Sequence, residues 1–216
     1  MQSYSTIAHM RRAFEKTQEV WPEFSAEQKA GALTAGALTT ARAAASIPAL
    51  LKDKDTSWTW KDTGLHTAAA LTDKLDGDIA RSTEGVTPLG KAADPAADKV
   101  FNTGLEIAMA QRGELKATHV GIRFLRDAGI SALRAAVSHK TEGNADIGAN
   151  ISGKISTATR LVVNVAAASP LGERYPRLRD RAQTISTLAV IASGAYTAYK
   201  LAQKLRNEGT KSASPQ

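Results

Sequence analysis

The chain of 216 residues carries 28 Lys and Arg against 21 Asp and Glu, a net charge of +7. It has no cysteine, which excludes disulfides, thiolate metal sites and a cysteine nucleophile, and its four histidines (His9, His66, His119, His139) lack the spacing of a zinc site. A pI near 9.7 suits an anionic partner, but aromatic residues at 5% are too few for a base-stacking platform and no nucleic-acid module is recognisable, so nucleic acid is not expected as a partner.

The N-terminal MQSYSTIAHMRRAFEKTQEVW is polar and mixed in charge, without the basic, apolar and small-residue order of a signal peptide. It reads as an amphipathic helix over 6–20, stopped by Pro22. Downstream, Ala, Leu, Lys, Arg and Glu dominate and β-branched residues do not alternate, so strands are not expected. Helices are expected over 25–50, 60–81, 88–111, 117–139, 152–169 and 178–207. Gly85 and Pro88 separate the third helix from the fourth, Gly143 and Gly148 mark a loop, and SPLGERYP (169–176) marks another. Pro48 and Pro95 should begin or kink the helices that hold them. The tail NEGTKSASPQ (207–216) reads as disordered. The expectation is an all-α fold: an amphipathic segment over 1–24, a six-helix bundle domain over 25–206, and the tail.

Whether that bundle spans a membrane is left open by composition. Mean hydropathy is −0.25 and no run of about 20 apolar residues exists. Yet the alanine-rich stretches 30–51, 155–172 and 182–199 approach spanning length with at most one Arg each.

Six acidic residues fall in TDKLDGDIARSTEGVTPLGKAADPAADKV (72–100). Asp73 and Asp76, three apart, share a face of the third helix; Asp94 and Asp98, four apart, share a face of the fourth. A short connection makes the two helices antiparallel neighbours, so the pairs can face one another across the groove. Either these are solvated acidic faces paired with Lys74, Lys91 and Lys99, or they are carboxylates gathered around a hard cation such as Mg²⁺, Mn²⁺ or Ca²⁺. Gly77, Ala80, Gly90, Ala93, Ala96 and Ala97 around them leave room for close helix approach or for a ligand, and Arg81 stands one turn beyond Gly77.

In full, the pattern is Asp73, two residues, Asp76-Gly77, two residues, Ala80-Arg81, eight residues, Gly90, three residues, Asp94, three residues, Asp98. It resembles the signature of the CDP-alcohol phosphatidyltransferase family at every fixed position and gap. The resemblance extends outward to roughly 35–160. DPAADK (94–99), RFLRDAGISALRAAV (123–137) and SGKISTATR (152–160) are similar to the forms seen in phosphatidylglycerophosphate synthases, and ALTTARAAASIP (37–48) resembles the family's first helix. One departure touches the acceptor side: Ser156 stands where a basic residue is usual.

The resemblance implies transfer of a phosphatidyl group from CDP-diacylglycerol to glycerol 3-phosphate, with release of CMP. Asp73, Asp76, Asp94 and Asp98 would hold two Mg²⁺ or Mn²⁺ ions, with Asp98 also the general base; Gly77, Ala80, Arg81 and Gly90 would seat the CDP moiety. Arg126, Arg134 and Lys154 would bind the acceptor phosphate, unless they pair with Asp127 and Asp146 or contact lipid headgroups. Arg42, a single Arg in an alanine-rich helix, reads as a side chain able merely to snorkel. The implied setting is an integral protein of the cell membrane, in contact with the bilayer, its site facing the cytoplasm, with a homodimer as a further arrangement the family uses. Two other readings compete: the same family with inositol phosphate or phosphatidylglycerol as acceptor, and a non-catalytic soluble bundle that keeps the metal site.

Overall fold

The computed structural model describes residues 2–140 and 151–212, with side chains described for 10–72, 74–137, 151–204 and 206. Among the described residues every regular element is helical. They are α1 (Gln2–Val20), a 3-10 turn (Trp21–Glu23), α2 (Ala26–Ala44), α3 (Ile47–Leu51), α4 (Trp60–Ser82), α5 (Pro88–Gln111), α6 (Ala117–Lys140), α7 (Ile151–Ala167), α8 (Pro170–Arg174) and α9 (Pro176–Ser212). The loop expected at Gly143 and Gly148 lies outside the described residues. Helix α9 continues to Ser212, and 213–216 are outside the described residues.

Local chemistry sets the starts of the three helices that matter most. Ser25 caps α2 by accepting from Gln28 N at 3.2 Å, while the Gln28 side chain accepts from Ser25 N at 2.8 Å. Thr59 and Asp62 form the same reciprocal box at the start of α4. Thr87 accepts from Gly90 N at 3.0 Å to open α5, where Pro88 occupies the first turn, a place that needs no N–H.

Two prolines account for the departures from the expected helices. The helix expected over 25–50 is broken at Ala45 and Ser46, and Pro48 sits in the first turn of the short α3. A proline there has no N–H to donate back and its ring crowds the preceding turn, so the helix restarts instead of continuing. Pro95 stays inside α5, between Asp94 and Asp98, with its ring exposed. With α3 and α8 added, the expected count of six helices after the first is not met. The helices fall into two compact units, residues 1–112 with 168–170, and 113–167 with 171–216.

In the first unit α2 is the hub. Helices α4 and α5 both pack along it, α1 and α3 pack on α5, and Phe101, Leu105, Ala108 and Met109 of α5 are fully buried. Gly104 permits the α3–α5 approach, since a Cβ there would stand 2.5 Å from Ser46 Oγ. In the second unit α6 and α7 both pack on α9 around Val137, Val190, Ala167 and Leu201. That interior is polar for its size: Arg123, Asn164, Gln183, Ser186 and Thr187 are buried in it.

No helix among the described residues is long and apolar enough to cross a membrane. The alanine-rich stretches that approached spanning length are interrupted by Arg42 with Pro48 in α2–α3 and by Arg160 with Asn164 in α7. In α9 the uncharged stretch is rich in Ser, Thr and Ala, whose transfer to hydrocarbon gains little.

Candidate active site

The carboxylates of the acidic stretch do come together, and α2 is what gathers them. Asp76 is 3% exposed and accepts from Thr39 Oγ1 at 3.1 Å; Asp94 Oδ1 lies 3.0 Å from the same hydroxyl. The backbone carbonyl of Ala35 is also 3.0 Å from it. One hydroxyl proton therefore faces three acceptor oxygens, and two of those approaches bring lone pairs against lone pairs. Positive charge is what such a point lacks.

Part of it comes from Arg42, which is only 1% exposed. Its Nη2 pairs with Asp76 Oδ2, its Nη1 donates to Asp98 Oδ1 at 2.8 Å, and its Nε donates to Thr72 Oγ1 at 3.1 Å. A snorkelling side chain would carry its guanidinium to the surface; this one carries it inward, so the weight given to Arg42 from sequence was wrong. The sequence-based picture of α4 and α5 facing each other directly is corrected too, because each leans on α2 and the residues between their acids, Thr39 and Arg42, belong to α2.

Burial pushes the Asp76 carboxyl above its usual pKa, with neighbouring Asp94 adding to the effect; Arg42 and the Thr39 hydrogen bond oppose it without cancelling it. Asp98 differs in being 37% exposed on its side chain. The Asp73 backbone lies in α4, but its side chain is outside the described residues. Among the described residues no three His, Cys, Asp or Glu side chains are grouped closely enough to hold a metal ion. The donor set is nonetheless all hard carboxylate oxygen, the chemistry Mg²⁺ and Mn²⁺ select, and Arg42 draws two of those oxygens to itself.

The residues assigned to the CDP moiety line the same stretch of α4 and the start of α5. The nearest atoms to a Cβ at Gly77 would be those of the Arg81 guanidinium, at 3.1 and 3.2 Å, and one at Gly90 would meet Thr87 Oγ1 at 3.2 Å. Gly104 and Gly85 are different, each pressed against a neighbouring segment. At 77 and 90 a Cβ would therefore crowd only nearby side-chain atoms of the same segment, not a neighbouring helix. Ala80 is half-buried, and Arg81 is exposed, pairing with Asp78 at 2.7 Å.

The three acceptor-phosphate candidates fall in the second unit. Arg126 and Arg134 lie eight residues apart on α6, about two turns. Burial, then the nearby Arg126 charge, lower the pKa of Arg134. Arg126 Nη1 donates to Asp127 at 2.9 Å and Nη2 to Ser193 Oγ at 2.8 Å. The Nε atoms of Arg126 and Arg134 and the Ser152 hydroxyl are buried with no hydrogen-bond partner. Asp127 also takes Arg160 Nη1 at 2.6 Å, so the alternative of pairing with Asp127 is realised for one arm of Arg126; Asp146 lies outside the described residues. Lys154 is exposed on α7 and is not drawn into this group, whereas Ser156, two residues on, is buried with its hydroxyl 2.8 Å from Ser193 Oγ.

Sequence reading missed Thr39, Asp127 as a clamp, Arg160, Ser193 and Gly194. The first had a signal, since Thr39 precedes Arg42 by three residues and shares its helix face. The α9 pair had little: Ser193-Gly194 sits in a featureless alanine-rich run, and its importance appears only when a Cβ on Gly194 is found to fall 2.8 Å from Arg126 Cγ.

Comparison with known proteins bears on these residues. The family model for CDP-alcohol phosphatidyltransferase matches residues 32–198. The chain is 33% identical over 143 residues to a cardiolipin synthase (CMP-forming) of Oryza sativa subsp. japonica, a match covering 60% of this chain and 44% of that protein. It is 34% identical over 98 residues to a CDP-diacylglycerol–glycerol-3-phosphate 3-phosphatidyltransferase of Mycoplasma genitalium, covering 45% of this chain and 40% of that protein. The matched stretch spans less than half the length of either relative.

Proposed function

The chain belongs to the CDP-alcohol phosphatidyltransferase family, and on that premise we propose that it transfers a phosphatidyl group from CDP-diacylglycerol to glycerol 3-phosphate, releasing CMP. The observation that carries this reading is the convergence of Asp76, Asp94 and Asp98 on Thr39 and Arg42. In the reaction the acceptor hydroxyl attacks the lipid-bearing phosphorus, the phosphoanhydride P–O bond breaks, and the electron pair leaves on CMP. Asp98, the open member of the group, takes the hydroxyl proton. Asp73, Asp76, Asp94 and Asp98 would hold two Mg²⁺ or Mn²⁺ ions, which when bound stabilise the negative charge growing on the leaving phosphate. Gly77 and Gly90, lacking side chains, would let the nucleotide approach the backbone, with the exposed Arg81 free to swing away from Gly77, and Ala80 and Arg81 would complete that side.

For the acceptor, the unsatisfied Nε atoms of Arg126 and Arg134 and the Ser152 hydroxyl favour a phosphate-bearing alcohol; Lys154, exposed on α7, would have to reach it from outside this group. Phosphatidylglycerol is the second reading, favoured by the match to a protein named cardiolipin synthase. The donor is a lipid, so a bilayer is the partner. Exposed Leu33, Leu71 and Leu75 in the first unit and Leu125, Ile155 and Leu188 in the second support contact with acyl chains. Extraction of membranes with alkaline carbonate separates embedded from surface-held protein and so tests the integral placement.

The deciding experiment is CMP release from CDP-diacylglycerol in detergent micelles with Mg²⁺ or Mn²⁺, with glycerol 3-phosphate, phosphatidylglycerol or inositol phosphate as acceptor, beside Asp98→Asn. Release that needs metal, glycerol 3-phosphate and Asp98 is expected. Release that ignores glycerol 3-phosphate but responds to another acceptor moves the acceptor and keeps the chemistry. No release with any acceptor removes the proposed activity.

A further inference from the structure

Arg42 has no part in the transfer chemistry just described, yet it is the most enclosed charged group of the site: 1% exposed, with Nη2 on Asp76, Nη1 2.8 Å from Asp98 and Nε 3.1 Å from Thr72. We propose that Arg42 is the resident counter-ion of the acidic site, holding Asp76 and Asp98 while no divalent cation is bound and giving up their oxygens when one binds. The proposal rests on the metal reading above.

Three observations carry it. The guanidinium engages Asp76 Oδ2 and Asp98 Oδ1, oxygens that a cation would also need, so the two compete for the same lone pairs. It is set on a buried carboxylate whose neighbour Asp94 is only a hydroxyl away, and unbalanced carboxylates there would repel. Its third arm is anchored on the neutral Thr72, which keeps one contact that a cation does not contest. A guanidinium and a divalent ion side by side repel one another, so full occupation by both is disfavoured. Arg42 is then a positioning residue: it pairs with the carboxylates in the metal-free chain and sets how tightly the site takes metal.

The test uses the full chain in detergent and Mn²⁺ alone as probe, followed by electron paramagnetic resonance of free Mn²⁺ and by thermal melting. Arg42→Gln removes the competitor, and Mn²⁺ should bind about tenfold tighter. Its metal-free melting temperature should fall, and saturating Mn²⁺ should raise it by more than in the parent. Arg42→Lys keeps the charge on one ammonium that does not span two carboxylates, and should bind Mn²⁺ about threefold tighter, between the two. Lys61→Gln, an exposed charge at the start of α4, should leave affinity unchanged and shows that net charge alone is not responsible. Unchanged or weaker Mn²⁺ binding in Arg42→Gln, with the parent binding, overturns the proposal and leaves the metal reading standing. Should Arg42→Gln fail to fold, parent-like affinity in Arg42→Lys overturns it equally. Folded parent and variants that all ignore Mn²⁺ overturn the metal reading and this proposal together.

Discussion

The two units build their polar centres with opposite imbalances. In the first, the Arg42 guanidinium lies among carboxylates: Asp76 and Asp98 hold it, and Asp94 is attached through Thr39. In the second, the Asp127 carboxylate lies among guanidinia: Arg126 and Arg160 hold it, and Arg134 stands beside Arg126. Each centre is partly neutralised by one group of the minority sign and left short by the rest. A site short of positive charge recruits a cation, and a site with guanidinium N–H groups to spare recruits an anion. The difference teaches how one chain of net positive charge builds two chemically distinct polar centres from the same few residue types.

The comparison is broken most severely at its acidic end. Asp98→Asn keeps the shape and the Arg42 contact through its amide oxygen but cannot take a proton, and transfer should fall by about 10³-fold or more with helical content unchanged. Asp94→Asn should be as damaging, because it removes a carboxylate without a partner of its own beyond Thr39 among the described contacts. CMP release against circular dichroism checks both. Loss at the basic end should be selective. Arg126→Gln should raise KM for glycerol 3-phosphate by roughly 10–100-fold, the range of a lost hydrogen bond to a charged group, while kcat changes much less. Equal losses in kcat and kcat/KM, with KM unchanged, would place Arg126 in the chemistry instead.

A smaller change sharpens the same contrast by moving Arg126 without altering charge. A Cβ at Gly194 would sit 2.8 Å from Arg126 Cγ and 3.2 Å from its Nε, so Gly194→Ala must push the side chain aside. KM for the acceptor phosphate should rise a few-fold, about 2–5-fold for a displacement that leaves the hydrogen-bonding groups in place. Gly36→Ala, on α2 with nothing within 4 Å of the new atom, is the matched control and should leave the kinetics alone.

How much of this was legible in the sequence follows the same division. The acidic end was readable because eight fixed residues of one local stretch lie on two consecutive helices, where spacing alone determines the shared face. What spacing could not give was the partner. Arg42 and Thr39 reach Asp76 from 34 and 37 positions away, through packing of α2 that no local periodicity encodes. The basic end was half readable: Arg126 and Arg134 share a helix face, but the groups that orient Arg126, Ser193 and Gly194, come from a helix more than 60 residues on. Lys154 shows the converse limit, since a match to a motif placed it in the site and its position on α7 leaves it exposed. Helix boundaries were recovered wherever a cap stood at the start, as at Ser25, Thr59 and Thr87; the break after Ala44 was missed because a proline reads alike as a kink or as a new start.

The smallest effect expected concerns a buried base that neither centre uses. His66 is 1% exposed, ten residues before Asp76 on α4, edge-on to Trp58 at 5.8 Å and tilted against Phe101 at 6.3 Å, with Nδ1 lacking a hydrogen-bond partner. Burial lowers its pKa below the ordinary 6.5; Asp62 pulls the other way and Lys52 adds to the lowering. The sign follows directly. Above about pH 6.5 the imidazole is neutral in both folded and unfolded chains and contributes no pH dependence. Below it the unfolded chain takes up a proton that the folded chain refuses, so stability falls as pH falls, by at most about 1.4 kcal/mol per pH unit. Burial tends to raise the Asp62 carboxyl, but hydrogen bonds from Thr59 and Lys52 hold it below its usual 3.8, so its own titration affects stability only in more acidic solution. Melting temperatures between pH 7 and pH 5 should therefore decline in the parent and decline less in His66→Phe, which keeps the aromatic contacts and removes the titrating ring. Parallel curves for the two proteins would mean that His66 does not carry the acid sensitivity of the first unit.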